Sequence, residues 1–99
     1  MEDIIYLNNL YDYYGELLTD KQKNYFEDYY FQNLTLQEIS DNYQVSRNAV
    51  HKQIKEVENK LYFYEEKLKL YNRNEKLKKE VEKIKDEKIK EEIKRIIGE

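Results

Sequence analysis

No proline occurs anywhere in the 99 residues, and only two glycines do. A chain without interior helix breakers must set its helix limits with capping residues and with breaks in apolar spacing. That spacing is helical from end to end. Ile4, Leu7, Tyr11, Tyr14 and Leu18 recur at steps of three and four, with Leu10 and Leu17 widening the stripe. This predicts a first helix ending near Gly15, where a positive φ is cheap. Thr19-Asp20-Lys21-Gln22 has the form of a capping box; it opens a second helix that buries Tyr25, Phe26, Tyr29 and Tyr30 and closes at Asn33.

Thr35-Leu36-Gln37-Glu38 repeats the box, with Leu34 placed to staple onto Ile39. Asp41-Asn42-Tyr43-Gln44 then breaks the pattern, and Ser46 caps a new helix with Val45 placed to staple onto Val50. In that fourth helix Val50, Ile54, Val57, Leu61, Tyr64, Leu68 and Tyr71 alternate steps of four and three, a 3.5-residue period. A helix from Arg47 to Tyr71 would reach ~37 Å, more than a small trihelical core covers, so its distal half needs another surface. Asn72-Arg73-Asn74 interrupts the register. A last helix resumes with Leu77, Val81, Ile84, Ile89, Ile93, Ile96 and Ile97, where Lys88 takes a position a strict heptad would make apolar. Helix four or a second copy must cover it. The expected division is 1–74, a helix-turn-helix domain that includes long helix four, and 75–99, a charged amphipathic helix.

Charge and aromatic content are uneven along this all-α chain. Residues 1–34 hold seven acids and two bases; residues 35–74 hold six acids and seven bases. Nine of the fourteen Tyr and Phe precede residue 35, so the core forms at the front. Zero cysteines exclude disulfides and thiolate chemistry and suit a reducing, cytoplasmic setting. No apolar run approaches the roughly 18 residues that span a bilayer, so no membrane insertion is expected. His51 is the sole histidine, which argues against a metal site or a His-based triad. Ser40 and Ser46 have no such partners, and Glu65-Glu66 and Glu91-Glu92 read as solvated helix faces. Gly15 and Gly98 cannot make a phosphate-cradling loop. The composition points away from an enzyme and requires no cofactor.

Residues 35–55 have the helix, tight turn, helix form in which the second helix enters a DNA groove. Leu36 and Ile39 pack the first helix, Ser40 and Ala49 are small where the helices approach, and Val45 plugs the turn. Val50 and Ile54 hold the second helix on the core. Arg47, Asn48, His51, Lys52 and Lys55 are then left outward, with no acid between Ser46 and Lys55. Arg and Asn suit guanine and adenine edges, Lys52 and Lys55 suit phosphates, and Ser46 with the helix N-terminal amides suits phosphate too. DNA or a structured RNA is the expected partner. Two short helices and a turn also serve as a plain scaffold in proteins that bind no nucleic acid. Gln44 occupies the turn position where a left-handed conformation favours glycine, at a cost of roughly 1 kcal/mol.

TLQEISDNYQVSRNAVHKQI resembles the helix-turn-helix of region four of bacterial sigma factors, and LLTDKQKNYFEDYYFQNL extends the likeness. LLTDKQKNYFEDYY, LTLQEISDNYQVSRNAV and YEEKLKLY (Tyr64 to Tyr71) together are similar to the YlxM-like family of small bacterial proteins, over about residues 4–75. The resemblance implies a sigma-region-four-like fold with a long fourth helix and a C-terminal helical extension. It also implies a regulatory role linked, through gene neighbourhood, to the signal recognition particle pathway. His51 and Lys52 stand where relatives are expected to carry an aromatic and an acid, which makes this face more basic. The rival reading is a protein adaptor or homodimer that uses the stripe Leu61, Tyr64, Leu68 and Tyr71.

Overall fold

Nearly every helix start coincides with a side chain that accepts from the first-turn amides. The computed structural model describes residues 3–98, and Met1, Glu2 and Glu99 lie outside the described residues. Helix α1 (Ile4–Tyr14) begins where Asp3 accepts from the Tyr6 amide at 3.0 Å. A 3-10 turn, Gly15–Leu17, leads to α2 (Asp20–Tyr30), opened by the reciprocal Thr19/Gln22 box. The Thr35/Glu38 box opens α3 (Leu36–Tyr43), and Ser46 opens α4 (Arg47–Leu68). Helix α5 (Leu70–Val81) follows, and Asp86 caps α6 (Glu87–Ile97) through the amides of Lys88 and Ile89. Each such cap stabilises its helix by about 1 kcal/mol. The described residues include no strand, and the chain has an all-α, helix-turn-helix fold.

Helix α4 is the spine of the core. Its first half gives Val50 and Ile54 to a cluster with Tyr25 and Ile39, on which Leu34, Leu36 and Val45 pack. Its second half gives Val57 and Leu61 to a larger cluster with Leu7, Leu10, Tyr14, Leu18 and Phe26. Fully burying side chains of this size contributes about 1.5–3 kcal/mol each. The surface that the distal half of α4 requires is therefore α1. Lys60 Nζ donates to the Gln22 amide oxygen at 3.3 Å and ties α4 to the start of α2.

Several local expectations change. Gly15 has φ −55, an ordinary helical value; what it provides is room, because a Cβ there would stand 3.1 Å from the Tyr11 ring. Ile4 is exposed, Tyr29 is 36% exposed, and Ala49 faces solvent instead of the α3–α4 contact. The fourth helix stops at Leu68, three residues short of Tyr71, because Lys69 turns left-handed (φ 56, ψ 29). The residues after it form two helices, so the division at residue 74 falls inside α5. The displaced apolar register around Lys88 reflects the turn after Val81, from which Asp86 starts α6 afresh.

Candidate nucleic-acid interface

The turn between α3 and α4 rests on one residue in an unusual conformation. Gln44 sits at φ 54, ψ 46, the left-handed region that its position demands. The Val45 amide then donates to the Ser40 carbonyl at 3.1 Å, closing the end of α3 in the Schellman manner. Ser40 is buried, and its hydroxyl donates to the Gln37 carbonyl at 2.8 Å. Val45 lies half-buried against the Tyr25 cluster. Helix α4 thus leaves α3 at a fixed angle, and the Ser46 hydroxyl accepts from the Ala49 amide at 3.1 Å.

All of Ser46, Arg47, Asn48, His51, Lys52 and Lys55 are exposed, and one helix brings them together. The 3.6-residue period divides them. Asn48 and Lys52 lie on the side away from Val50 and Ile54. Arg47, His51 and Lys55 recur every fourth residue and form one wall of a shallow groove, whose other wall is Ile4, Tyr29 and Leu36. Lys55 is partly neutralised, since its ammonium lies 3.3 Å from the buried Glu58 carboxylate. Glu58 also accepts from the Tyr30 hydroxyl. Among the described residues, Arg47 and Lys52 have no ion-pair partner. The neighbouring acids of α3 are engaged locally: Glu38 accepts from the Thr35 amide at 3.0 Å and Asp41 from Gln37 Nε2 at 3.0 Å.

The other expected face is not an open stripe. Leu61 has no exposed area, Tyr64 and Tyr71 pack half-buried on the same core, and Leu68 alone is 52% exposed. The physical reason is the bend at Lys69, which moves Tyr71 onto α5. There its ring meets Tyr6 edge-on at 5.6 Å and its hydroxyl accepts from Asn9 Nδ2 at 3.3 Å. Beyond it, α5 and α6 also leave apolar side chains exposed, at Leu77, Ile89 and Ile96.

Glu65 also departs from its expected place, being buried where a solvated face was expected. Its carboxylate accepts from the Tyr14 hydroxyl at 2.6 Å and from the amides of Tyr71 and Asn72 at 3.1 and 3.0 Å. It thereby caps α5 from the end of α4, while the Leu70 amide donates to Tyr14 Oη at 3.1 Å. Burial first, and then the bond to Glu65, pushes the Tyr14 phenol up to about 12. No pattern of neighbouring residues marks Glu65, because its partners come from a helix 51 positions away and from the next element. The groove wall of Ile4 and Tyr29 was hidden for a related reason: both fit an apolar stripe. Among the described residues no cluster of His, Asp or Glu is placed to hold a metal ion, and no helix is long and apolar enough to cross a membrane.

Comparison with known proteins agrees with this geometry. The family described as "Putative helix-turn-helix protein, YlxM / p13 like" matches residues 1–98. A UPF0122 protein of Caldanaerobacter subterraneus is 44% identical over 83 residues, which make up 84% of this chain and 71% of that protein. A UPF0122 protein of Oceanobacillus iheyensis is 53% identical over 60 residues, 61% of this chain and 57% of its own length. One from Malacoplasma penetrans is 48% identical over 63 residues, 64% and 59% of the two chains. The chain thus spans less than two-thirds of the length of the latter two relatives. With a capped α3, a left-handed turn and an α4 carried on the core, this chain belongs to the UPF0122 family of YlxM-like helix-turn-helix proteins.

Proposed function

We propose that the chain is a non-enzymatic regulatory or accessory factor that binds nucleic acid, DNA or structured RNA, through the exposed face of α4. The observation that supports this reading is the convergence of Arg47, Asn48, His51, Lys52 and Lys55 on one rigidly held helix, in a protein whose net charge is −3. Lys52 and Arg47 supply charge for phosphates, Asn48 can accept from and donate to a base edge, and the α4 N-terminus adds its amides beside Ser46. The YlxM-like resemblance makes the RNA of the signal recognition particle one of the ligands to assay, in a cytoplasmic setting.

Titration of labelled duplex DNA and structured RNA at several salt concentrations tests the reading. With about three phosphates neutralised, affinity falls roughly 40-fold between 50 and 200 mM salt. Arg47→Glu abolishes binding while the melting temperature stays the same. Unchanged affinity in that variant overturns the reading.

A second reading, a homodimer, draws on a different observation. Helix α6 has no buried residue, and Ile89 and Ile96 stay exposed, as does Leu77 of α5. Sedimentation at tens of micromolar decides it: a dimer supports assembly through the α5–α6 hairpin, and a monomer removes it.

A further inference from the structure

The groove beside α4 has a composition that phosphate binding does not require. Its two connected depressions, of about 270 and 470 Å³, share Ile4, Tyr29, Tyr30 and Leu36. Ile4 is 54% exposed and Tyr29 36%, on a surface that could have been polar throughout. The Tyr29 ring is held edge-on against Tyr30 at 5.1 Å, and so offers itself in one orientation. Tyr30 is in turn anchored through its hydroxyl to Glu58. Arg47, His51 and Lys55 line the opposite side, one helical turn apart. Asn33, with φ 57, and Thr35 close the rim at the start of α3.

An apolar, aromatic wall facing a basic one matches the chemistry of an unpaired nucleotide: a flat base to stack on one side and backbone phosphate to meet on the other. A protein side chain would match the apolar wall alone and would leave Arg47, which has no ion-pair partner among the described residues, without a counterpart. We propose that this groove receives an extruded nucleobase, with Tyr29 as the stacking platform and Arg47, His51 and Lys55 on the flanking phosphates, so that the protein selects nucleic acid carrying an unpaired nucleotide over a regular duplex. The proposal rests on the reading that α4 binds nucleic acid, and adds to it the class of ligand. A helix cannot enter the deep, narrow major groove of regular A-form RNA, and a bulged nucleotide supplies the feature that the groove can grip.

The test compares four labelled hairpins of one sequence, RNA and DNA, each with and without a single-nucleotide bulge. One base stacked on an aromatic side chain corresponds to about a tenfold preference or more for the bulged form. 2-Aminopurine at the bulge should change its emission on binding. A preference in RNA alone, or in both polymers, supports the proposal and names the source of the ligand. Tyr29→Ala should remove the preference yet keep binding to the unbulged hairpin, and Tyr29→Phe should retain it. Ile4→Asp, at an exposed position, should also remove it, which keeps the test valid if Tyr29→Ala melts early. Equal affinity for bulged and unbulged forms overturns the proposal and leaves nucleic-acid binding intact. Failure to bind any hairpin overturns both.

Discussion

Gln44 shows what a single backbone conformation is worth. Any side chain at φ 54 crowds its own backbone, and only glycine avoids this. Gln44→Gly is expected to stabilise the protein by about 0.5–1 kcal/mol, read as a higher denaturant midpoint at unchanged slope. That position was legible from its place after Tyr43, because the turn between two capped helices leaves one residue to reverse direction. Gly15 was misread on the same logic, since the residue that sets its role, Tyr11, lies a helical turn earlier and acts through its ring. Tyr14 carries a pH dependence whose sign follows from its neighbours. Its phenol is raised from an ordinary 10.0 to about 12, so folding favours the neutral form. The corresponding stability is complete below about pH 10 and is lost as pH climbs from 10 through 12. A melting-temperature series over that interval should fall steeply for the native chain and less steeply for Tyr14→Phe.

Among the elements, the joint between α4 and α5 is the least expected from sequence and the most consequential. Lys69 is left-handed and lacks glycine's freedom, so that bend persists because Glu65 collects the hydroxyl and two amides that meet there. Glu65→Ala leaves those donors buried without an acceptor and should destabilise the protein by about 3 kcal/mol, while exposed Glu66→Ala changes almost nothing. Chemical denaturation of the two variants makes the comparison. The capping boxes at Thr19 and Thr35 and the staple residues around Val45 could be recognised because every participant lies within a few positions in the chain. The Glu65 joint could not: a heptad pattern running from Val50 to Tyr71 remains periodic whether the helix continues or bends at Lys69. The basic face of α4 was readable as a set, yet its split into an outer pair and a groove wall depended on where Ile4 and Tyr29 come to rest.

At the scale of the whole molecule, the chain extends 56 × 24 × 24 Å, with its apolar mass at one end. The α5–α6 hairpin buries little beyond Val81, and its helices are bridged from the turn by Glu82 with Lys90 and Lys94 at 3.2 and 2.8 Å. Exposed pairs of this kind contribute little. Hydrogen exchange should therefore find α6 amides opening far faster than those of Val57 and Leu61, and equal protection across both would contradict this division. The tyrosine contacts reach beyond stability. The protein has eleven tyrosines and no tryptophan, and Tyr11, Tyr14, Tyr30 and Tyr43 each donate their hydroxyl to a carboxylate. Carboxylates quench the emission of phenols that donate to them, so these four tyrosines should brighten when the chain unfolds. Tyrosine emission followed through a denaturant series should then gauge the integrity of the fold without any attached dye.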